Sequence, residues 1–363
     1  MSDREPRDRE TLVRRSFLEQ AALCEEFGSA FMGRLVRALE AVLDRDTETG
    51  RAVLDWGGPP EAKGDALALR LCGGLHALVL RRSDPLLGTV YPPNEIGSEV
   101  RFRETIAAAV RANDAELRTW LRQAPQTNEV GRSAVLYLGL LEIARRFDQP
   151  LRLHEIGSSA GLNLVLDRYA YRFGRAAFGE ASATLLLAPE WTGPEPAPAR
   201  VAIVERRGCD VSPVDPNDPD DRVRLHSYVW PDQAERHHRL AAAIAIAAQA
   251  AAPIDRMDAG IWVARNLSAE RPAGRTTVLM HALTYCYLPP ETRAAIAAHM
   301  AALGATANSE RPLAWLAFEL DDANQPELTL QCWPDGGRRL IARAHPHGRA
   351  IAYLAPDSAL AAQ

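Results

Sequence analysis

The sequence predicts an α/β protein in which a mostly parallel sheet follows an all-helical N-terminal domain. From Thr11 to about Gln123, apolar residues recur at the three- to four-residue spacing of helices. After residue 130, short apolar runs typical of strands alternate with helical segments, as in parallel α/β sheets. With 363 residues, 47% of them hydrophobic, the chain is long enough for two domains. We place these domains at residues 1–125 and 126–363.

The N-terminal domain consists of a succession of predicted helices. Gly28 interrupts the helical spacing, and Ser29 supplies a hydroxyl of the kind that caps a following helix. Further helices are expected at Leu67–Leu78, Ile106–Val110 and Ala115–Leu121. Because neither a catalytic motif nor a convincing strand occurs here, packing is the simplest role for this domain.

The second domain begins with a helix, Val130–Phe147, and a strand, Leu151–Ile156. A glycine-containing loop, Gly157–Gly161, and a helix, Leu162–Tyr169, are expected to follow. Further strands are predicted at Ala183–Leu187, Val201–Glu205, Thr276–Met280 and Leu313–Phe318, and further helices at Asp232–Ala251 and Pro290–Leu303. A hairpin within Leu328–Ala344 is expected to give the sheet an antiparallel edge.

The composition argues against several classes of protein. Lys63 is the only lysine among 42 lysine and arginine residues, and no G-K-[ST] motif occurs. Pyridoxal enzymes, P-loop nucleotide hydrolases and kinases are therefore disfavoured. The formal net charge of −5 provides no basic surplus for binding nucleic acid. Five widely spaced cysteines without a C-x-x-C pair indicate neither a disulfide framework nor a zinc site.

The chain is expected to be a cytoplasmic protein without a membrane segment. Met1–Glu10 is rich in charged residues and does not resemble a secretory signal. The most apolar run, Leu240–Ala248, is shorter than the ~18 residues that a membrane span requires. Without a heptad array, the sequence specifies no oligomeric state.

The loop after the first strand has two competing interpretations, because open α/β sheets bind ligands at such strand ends. In the first, the pattern acid-x-Gly-x-small-x-Gly is typical of class I S-adenosylmethionine-dependent methyltransferases, which have a Rossmann-like fold. Gly157 and Gly161 permit a tight turn and close packing, and the small residues Ser158 and Ser159 let the backbone approach the cofactor. The Glu155 carboxylate would face the cationic end of the cofactor.

In the second interpretation, Gly-x-Ser-x-Gly is the nucleophile elbow of an α/β-hydrolase, with Ser159 as nucleophile. A later acid, Asp258 or Asp321, and a later histidine, His345 or His347, would complete a triad. A hydrolase has no need of the acid that precedes the first glycine, and no oxyanion-type H-G-G loop lies upstream. We therefore favour the cofactor interpretation.

Two further acids stand where a nucleoside would need them. Asp210 follows the strand Val201–Glu205 and is expected to hold the ribose hydroxyls, with Glu205 as the alternative. The usual distance from the glycines to such an acid is ~20 residues, and an inserted hairpin, Ala183–Gly193, would explain the longer gap here. Asp258 is expected to accept a hydrogen bond from the adenine amino group.

Five motifs along the chain carry a resemblance to a known family. They are Gln126–Ser133, His154–Leu164, Arg207–Asp215, Val229–Gln233 with Arg236, and Ala344–Gly348. Together they resemble the bacterial family labelled domain of unknown function 2332, over nearly the whole chain. The label names no activity. The resemblance implies a bacterial protein with a core similar to class I methyltransferases, so the function has to be argued from the site.

Residues flanking the loop complete the predicted cofactor site. Asn128 and Arg132 stand before the helix that leads into the glycine strand, where a capped helix start would point amides at the pocket. Asn163 follows the loop and is also expected to contact the cofactor. Glu129 is predicted to act beside them on the acceptor, although Glu129 and Arg132, three residues apart, also suit a surface ion pair.

Two further catalytic residues are predicted after the strand Thr276–Met280. His281 would act as a general base on the acceptor, and Tyr285 would wall the methyl group. The alternative is a histidine that simply packs at the strand end. No metal is expected, because His345 and His347 lack a carboxylate or cysteine to complete a ligand set.

The sequence thus predicts an S-adenosylmethionine-dependent methyltransferase that acts on a small-molecule acceptor. Two alternatives remain open: a serine hydrolase that uses Ser159, and a non-enzymatic protein that binds the same cofactor. Because Lys63 is the only lysine, an acidic acceptor would have to be bound by arginine, and Arg132 is the first candidate.

Overall fold

The computed structural model describes residues 4–250 and 252–354, which form two compact units. The first unit contains the chain up to Thr127 together with Asp218–His238, and the second contains Asn128–Asn217 and the chain from Arg239 onward. The sequence-based division at residue 125 did not anticipate that Asp218–His238 belongs with the N-terminal helices. The last residue of the predicted helix Asp232–Ala251 lies outside the described residues, as do residues 1–3 and 355–363.

Twelve α-helices lie in the described part of the chain. They are α1 Arg4–Glu26, α2 Ala30–Val42, α3 Glu48–Leu54, α4 Leu67–Leu80, α5 Pro85–Gly88, α6 Glu99–Ala112, α7 Asp114–Leu121, α8 Arg132–Phe147, α9 Pro219–Ser227, α10 Ala234–Ala250, α11 Ala259–Asn266 and α12 Pro290–Gly304. None of them is both long and apolar enough to cross a membrane.

Twelve strands lie in the same described residues. They are β1 Leu151–Ile156, β2 Ala170–Phe173, β3 Ala176–Gly179, β4 Leu186–Leu187, β5 Glu190–Thr192, β6 Ile203–Asp210, β7 Ile254–Arg256, β8 Thr276–Ala282, β9 Leu313–Leu320, β10 Pro326–Trp333, β11 Arg338–Ala344 and β12 Ala350–Tyr353. Nine of these strands form one sheet, and β3-β2-β4 form a small second sheet.

The described residues of the first unit form helices and connecting loops but no strand, as the apolar spacing predicts. The Ser29 hydroxyl accepts a hydrogen bond from the Met32 amide and caps α2, which confirms the predicted cap. Thr47 caps α3 in the same way by accepting from the Gly50 amide. At this tight helix start the backbone of Gly50 passes close to the carbonyl of Asp44, so that there is no room for a side chain.

The large sheet has the order β5-β12-β11-β10-β9-β8-β1-β6-β7. The strands β7, β6, β1, β8 and β9 run parallel, and β9 to β12 pair antiparallel. The chain leaves β1 toward β6 and β7 on one side and then returns to β8 on the other side. The strand order therefore reverses beside β1, and the predicted antiparallel hairpin within Leu328–Ala344 is confirmed.

Helices cover both faces of the parallel part of the sheet. Glu155 and Ile156 are consecutive in β1 and therefore point to opposite faces. Ile156 packs into a core with Trp262 of α11 and Met300 of α12. On the Glu155 face, α8 approaches so closely that a Cβ at Gly139 would lie 2.2 Å from Leu316. The result is a three-layer α/β arrangement.

The predicted helix Leu162–Tyr169 is wrong. The segment forms turns and a short 3-10 helix, Leu166–Arg168, before β2 begins. The hydroxyl of Tyr169 donates to the Leu162 carbonyl, and that of Tyr171 donates to the Leu166 carbonyl. These two bonds tie the turns to the residues at the start of β2, and the chain enters that strand without forming an α-helix.

The predicted bounds of two strands also differ from those in the structure. The strand predicted at Ala183–Leu187 shortens to β4 and belongs to the small sheet. The strand predicted at Val201–Glu205 extends as β6 to Asp210. The inserted hairpin predicted at Ala183–Gly193 is wrong, because β4 pairs with β2 and β5 pairs with β12. The short strands β2, β3, β7 and β12 were not predicted, because three or four residues are too few for a periodic pattern.

We expect Gly50→Ala to lower the free energy of unfolding by about 2 kcal/mol, because the new Cβ would overlap the carbonyl oxygen of Asp44 and the backbone would have to move. Gly88→Ala is the matched control, since a Cβ at Gly88 would have nothing within 4 Å. Urea denaturation of both variants tests this prediction. Equal stability of the two variants would contradict the close approach.

Candidate functional site

The loop after β1 depends on left-handed backbone. Gly157, Ser159 and Gly161 have φ of 70°, 52° and 71°. A Cβ at Gly157 would also lie 2.2 Å from Cγ2 of Thr284. Glycine is therefore required at position 157 by backbone conformation and by packing at once. The loop lies at the carboxyl end of β1, where the strand order reverses and where open α/β sheets bind ligands.

Two polar side chains hold the loop. The Asp210 carboxylate accepts hydrogen bonds from the amides of Ser159 at 2.9 Å and Ser212 at 2.8 Å. The side-chain oxygen of Asn128 accepts from the amides of Ala160 and Leu162, at 3.2 and 3.0 Å. Asp210 and Asn128, both predicted to bind the cofactor, thus meet the loop in the structure and satisfy its amides.

A buried hydrogen-bonded chain runs beneath the loop. The Ser133 hydroxyl donates to Oδ1 of Asn163 at 2.7 Å, and Nδ2 of Asn163 donates to Oε1 of Glu155 at 3.2 Å. Oε2 of Glu155 is buried without a hydrogen-bond partner. Burial raises the pKa of Glu155 to about 8, against the opposing effect of the Asn163 hydrogen bond. The Ser158 hydroxyl donates to the Glu155 carbonyl and fixes the strand end.

Asp258 lies at the same edge of the sheet as Asp210. The Met257 amide donates to the Asp210 carbonyl at 3.0 Å, and Asp258 is the next residue. The Asp258 carboxylate caps α11 by accepting from the Ile261 amide at 3.1 Å. Beside these acids, Val211 is 71% exposed and Ile261 is 52% exposed. The edge therefore combines two carboxylates with accessible apolar surface.

The side chain of His281, at the end of β8, is held in place by hydrogen bonds at both of its ring nitrogens. Its Nε2 accepts the indole N–H of Trp315 at 2.9 Å, so its Nδ1 carries the proton and donates to Glu319 at 2.7 Å. Both ring nitrogens are thus in use. Tyr285 stacks on the His281 ring, and its hydroxyl donates to the Arg293 carbonyl at 2.6 Å. Neither of these two predicted catalytic residues therefore has a ring nitrogen or a hydroxyl hydrogen left to bond a substrate.

Glu319, which the sequence analysis did not single out, organises this end of β8. Its carboxylate accepts hydrogen bonds from Nδ1–H of His281 and from the amides of Thr284 and Tyr285, the two amides each at 2.9 Å. Burial opposes ionisation, but these donors outweigh it and lower the pKa of Glu319. A glutamate in an apolar strand was the available signal. The turn that it holds places Thr284 against Gly157.

The start of α8 meets the turn between β11 and β12. Arg132 donates from Nε to the Pro346 carbonyl at 3.0 Å and from Nη1 to the Ala282 carbonyl at 3.1 Å. A Cβ at Gly131 would lie 2.1 Å from the carbonyl oxygen of His347. The buried Glu129 accepts from the Gly131 amide at 3.1 Å. Two of the sequence motifs therefore converge beside the end of β8.

A family model described as an uncharacterised protein conserved in bacteria, DUF2332, matches residues 14–353. The chain belongs to the DUF2332 family. This confirms the family resemblance seen in the motifs. No curated protein and no solved structure matches the chain.

The triad of the hydrolase interpretation does not assemble in this DUF2332 protein. Ser159 Oγ is buried without a hydrogen-bond partner, so no histidine in the described residues activates it. Nδ1 of His345 accepts from the His347 amide, and Asp321 pairs with Arg343. Across residues 4–250 and 252–354, no cluster of three or more potential ligands is arranged to hold a metal ion.

We expect Asn128→Ala to lower the free energy of unfolding by about 2–4 kcal/mol, because two buried amides, those of Ala160 and Leu162, would lose their acceptor. Asn94→Ala is the control, since its amide makes an exposed hydrogen bond to the Gly88 carbonyl. Urea denaturation measures both. A loss no larger than that of the control would show that Asn128 does not hold the loop.

We expect Glu155→Gln to become progressively more stable than the wild type as the pH rises from about 4.5 to 8. A folded pKa near 8 means that the unfolded chain ionises first, so the wild type loses stability across this interval. The difference should reach the order of a few kcal/mol. Urea denaturation at pH 5.0, 6.5 and 8.0 measures it.

Glu205→Gln serves as the pH control, because hydrogen bonding to Arg152 lowers the pKa of Glu205. Its contribution is present above the unfolded pKa and should not change between pH 5 and 8. A flat difference for Glu155→Gln over the same interval would contradict the raised pKa of Glu155.

Proposed function

We propose that this DUF2332 protein binds S-adenosylmethionine at the carboxyl ends of β1 and β6 and transfers its methyl group to a small-molecule acceptor. The observation that carries the proposal is the glycine loop at the reversal of strand order, with Asp210 at the end of the neighbouring strand. The parallel strands follow the order of Rossmann-like sheets, which bind nucleosides at this point.

The residues at this edge suit the cofactor's adenosine. Each Asp210 oxygen accepts one amide and keeps a lone pair, enough for the two ribose hydroxyls. One Asp258 oxygen caps α11 and leaves the other for the adenine amino group. The exposed side chain of Val211 offers an apolar surface to the ring.

The cationic end of the cofactor would lie toward Glu155. Its unpartnered Oε2 is the buried atom that an ammonium or sulfonium group would satisfy. S-adenosylmethionine supplies a methyl group bonded to a sulfonium, and the protein's part is to hold acceptor and methyl within reach while excluding water. Asn163 keeps the Glu155 carboxyl oriented throughout.

The absence of an α-helix directly after the loop, in the described residues 162–169, fits this cofactor better than a phosphorylated one. A dinucleotide relies on free amides at a helix N-terminus to bind its phosphates. Here the amides of Ser159, Ala160 and Leu162 are already occupied by Asp210 and Asn128. S-adenosylmethionine has no phosphate and needs none of them.

On the acceptor side, the bonds of His281 and Tyr285 make them positioning residues in this proposal. Glu129 remains the proposed acceptor-side base, and Arg132 borders the same space between the end of β8 and the β11–β12 turn. The left-handed backbone of Ser159 is the one feature that favours a hydrolase. Without a histidine partner it carries less weight than the two acids.

Isothermal titration calorimetry with S-adenosylmethionine and S-adenosylhomocysteine tests the proposal. We expect the wild type to bind both and to release close to one proton at pH 7, because a cation beside Glu155 favours its ionised form. Titrations in phosphate and Tris reveal that proton. Glu155→Gln should weaken binding tenfold or more and abolish the proton release. Glu205→Gln should bind as the wild type does, because Glu205 is paired with Arg152.

Absence of binding heat in the wild type, or unchanged affinity and proton release in Glu155→Gln, would overturn the proposal. Labelling of Ser159 by a fluorophosphonate probe, lost in Ser159→Ala, would instead support the hydrolase. Formation of S-adenosylhomocysteine with a small-molecule extract distinguishes an enzyme from a protein that only binds the cofactor.

A further inference from the structure

Three histidines, none of them part of the candidate site, meet inside the helical unit. His76 of α4 is buried, and His226 of α9 and His237 of α10 are half-buried. The rings of His226 and His237 are parallel within 5°, with 3.2 Å between their Nδ1 atoms. The ring of His76 meets that of His237 edge-on at 5.5 Å. We call this group the histidine cluster.

The histidine cluster joins the segment Asp218–His238 to α4. His76 Nδ1 donates to the Ser227 carbonyl at 3.1 Å, and Tyr228 packs where a Cβ at Gly73 would lie 2.6 Å from its ring. The segment's other attachments include an exposed ion pair between Asp220 and Arg81 and the hydrogen bonds of Asp232 to the start of α2. The histidine cluster therefore lies in the interior of the contact between Asp218–His238 and α4, which we call the seam.

The bond between His226 and His237 requires that at least one of the two rings is neutral. Between His226 and His237, one Nδ1 must donate and the other must accept, so the bond is lost when both rings carry two protons. The charged groups that act on His76 are His237 and His226, and those that act on His237 are His226, Arg236 and His238. They disfavour protonation, whereas hydrogen bonds to the carbonyls of Ser227, Val229 and Trp230 favour it but do not outweigh burial. Tyr91 stacks on His76. Asp220 and Asp232 are engaged with Arg81 and with α2, and no carboxylate of the described chain is bonded to a cluster ring.

We propose that the histidine cluster is an acid-sensitive clasp that holds Asp218–His238 against α4 at neutral pH and releases it when the histidines are protonated. Parallel cationic rings at this separation repel each other, and no carboxylate among the described residues is bonded to them in compensation. Protonation of the histidines does not break the Asp220–Arg81 ion pair or the hydrogen bonds of Asp232. The release therefore separates Asp218–His238 from α4 only at the seam.

The direction of the pH dependence follows from burial. Burial lowers the pKa of His76 to about 3, that of His237 to about 4, and also that of His226. Because these values lie below the ordinary 6.5, the clasp is fully stable above about pH 6.5 and weakens as the pH falls toward 4. For a single histidine, the released state should gain on the order of tenfold between pH 7.5 and 5.0.

Hydrogen–deuterium exchange of the full chain, corrected for the pH dependence of intrinsic exchange, tests the clasp. We expect protection of α9 to fall tenfold or more between pH 7.5 and 5.0, while that of β8 and β9 stays constant. His226→Gln and His237→Gln, alone and together, should diminish the decrease. His299→Gln is the control, because its ring bonds the Leu267 carbonyl and is not among the groups that act on the cluster, and it should show the wild-type decrease in α9.

Constant protection of α9 in the wild type down to pH 5.0 would overturn the proposal. So would an equal decrease in wild type and double variant, or a decrease shared by β8 and β9, which would indicate global unfolding. If the double variant does not fold at pH 7.5, as judged by circular dichroism, the two single variants decide. None of these outcomes depends on whether the protein binds S-adenosylmethionine.

Discussion

The architecture of the candidate site depends on how the amides of the loop Gly157–Gly161 are satisfied. A helix that followed the loop would leave its own first amides without intrahelical acceptors, and here the chain continues in turns instead. Asp210 and Asn128 supply the missing acceptors from two other segments. The loop can keep its left-handed residues only because both side chains are in place. These bonds connect the loop to β6 and to the segment that precedes α8.

This arrangement also limits what the site can bind. Because the loop amides are already paired, they do not form an anion site. What remains for a ligand is the spare hydrogen-bonding capacity of Asp210 and Asp258, the exposed apolar side chain of Val211 and, buried beneath the loop, the unpaired oxygen of Glu155. Such a set matches a ligand with hydroxyls, a flat ring and a positive charge, which is the basis for the proposed cofactor.

The sequence located the central strand, the glycine loop, Asp210 and the antiparallel hairpin, because each has a local pattern. It failed where distant residues decide the local structure. The segment after Gly161 has helical spacing, but the hydroxyls of Tyr169 and Tyr171 tie its turns to the start of β2. The role of Glu319 depends on a turn some thirty residues earlier in the chain. The placement of Asp218–His238 likewise rests on long-range contacts with α4.

Two buried glutamates on nearby strands show why the candidate site lies at β1 and not at β9. Glu319 is surrounded by N–H donors that lower its pKa, so it is a satisfied structural anion. Burial raises the pKa of Glu155 to about 8, because the side-chain hydrogen bonds from Asn163 and Ser158 do not outweigh it. Environments that shift the pKa values of two carboxyl groups in opposite directions in this way separate a structural role from a chemical one. Only Glu155 gains from a cation, and it is the one beneath the glycine loop.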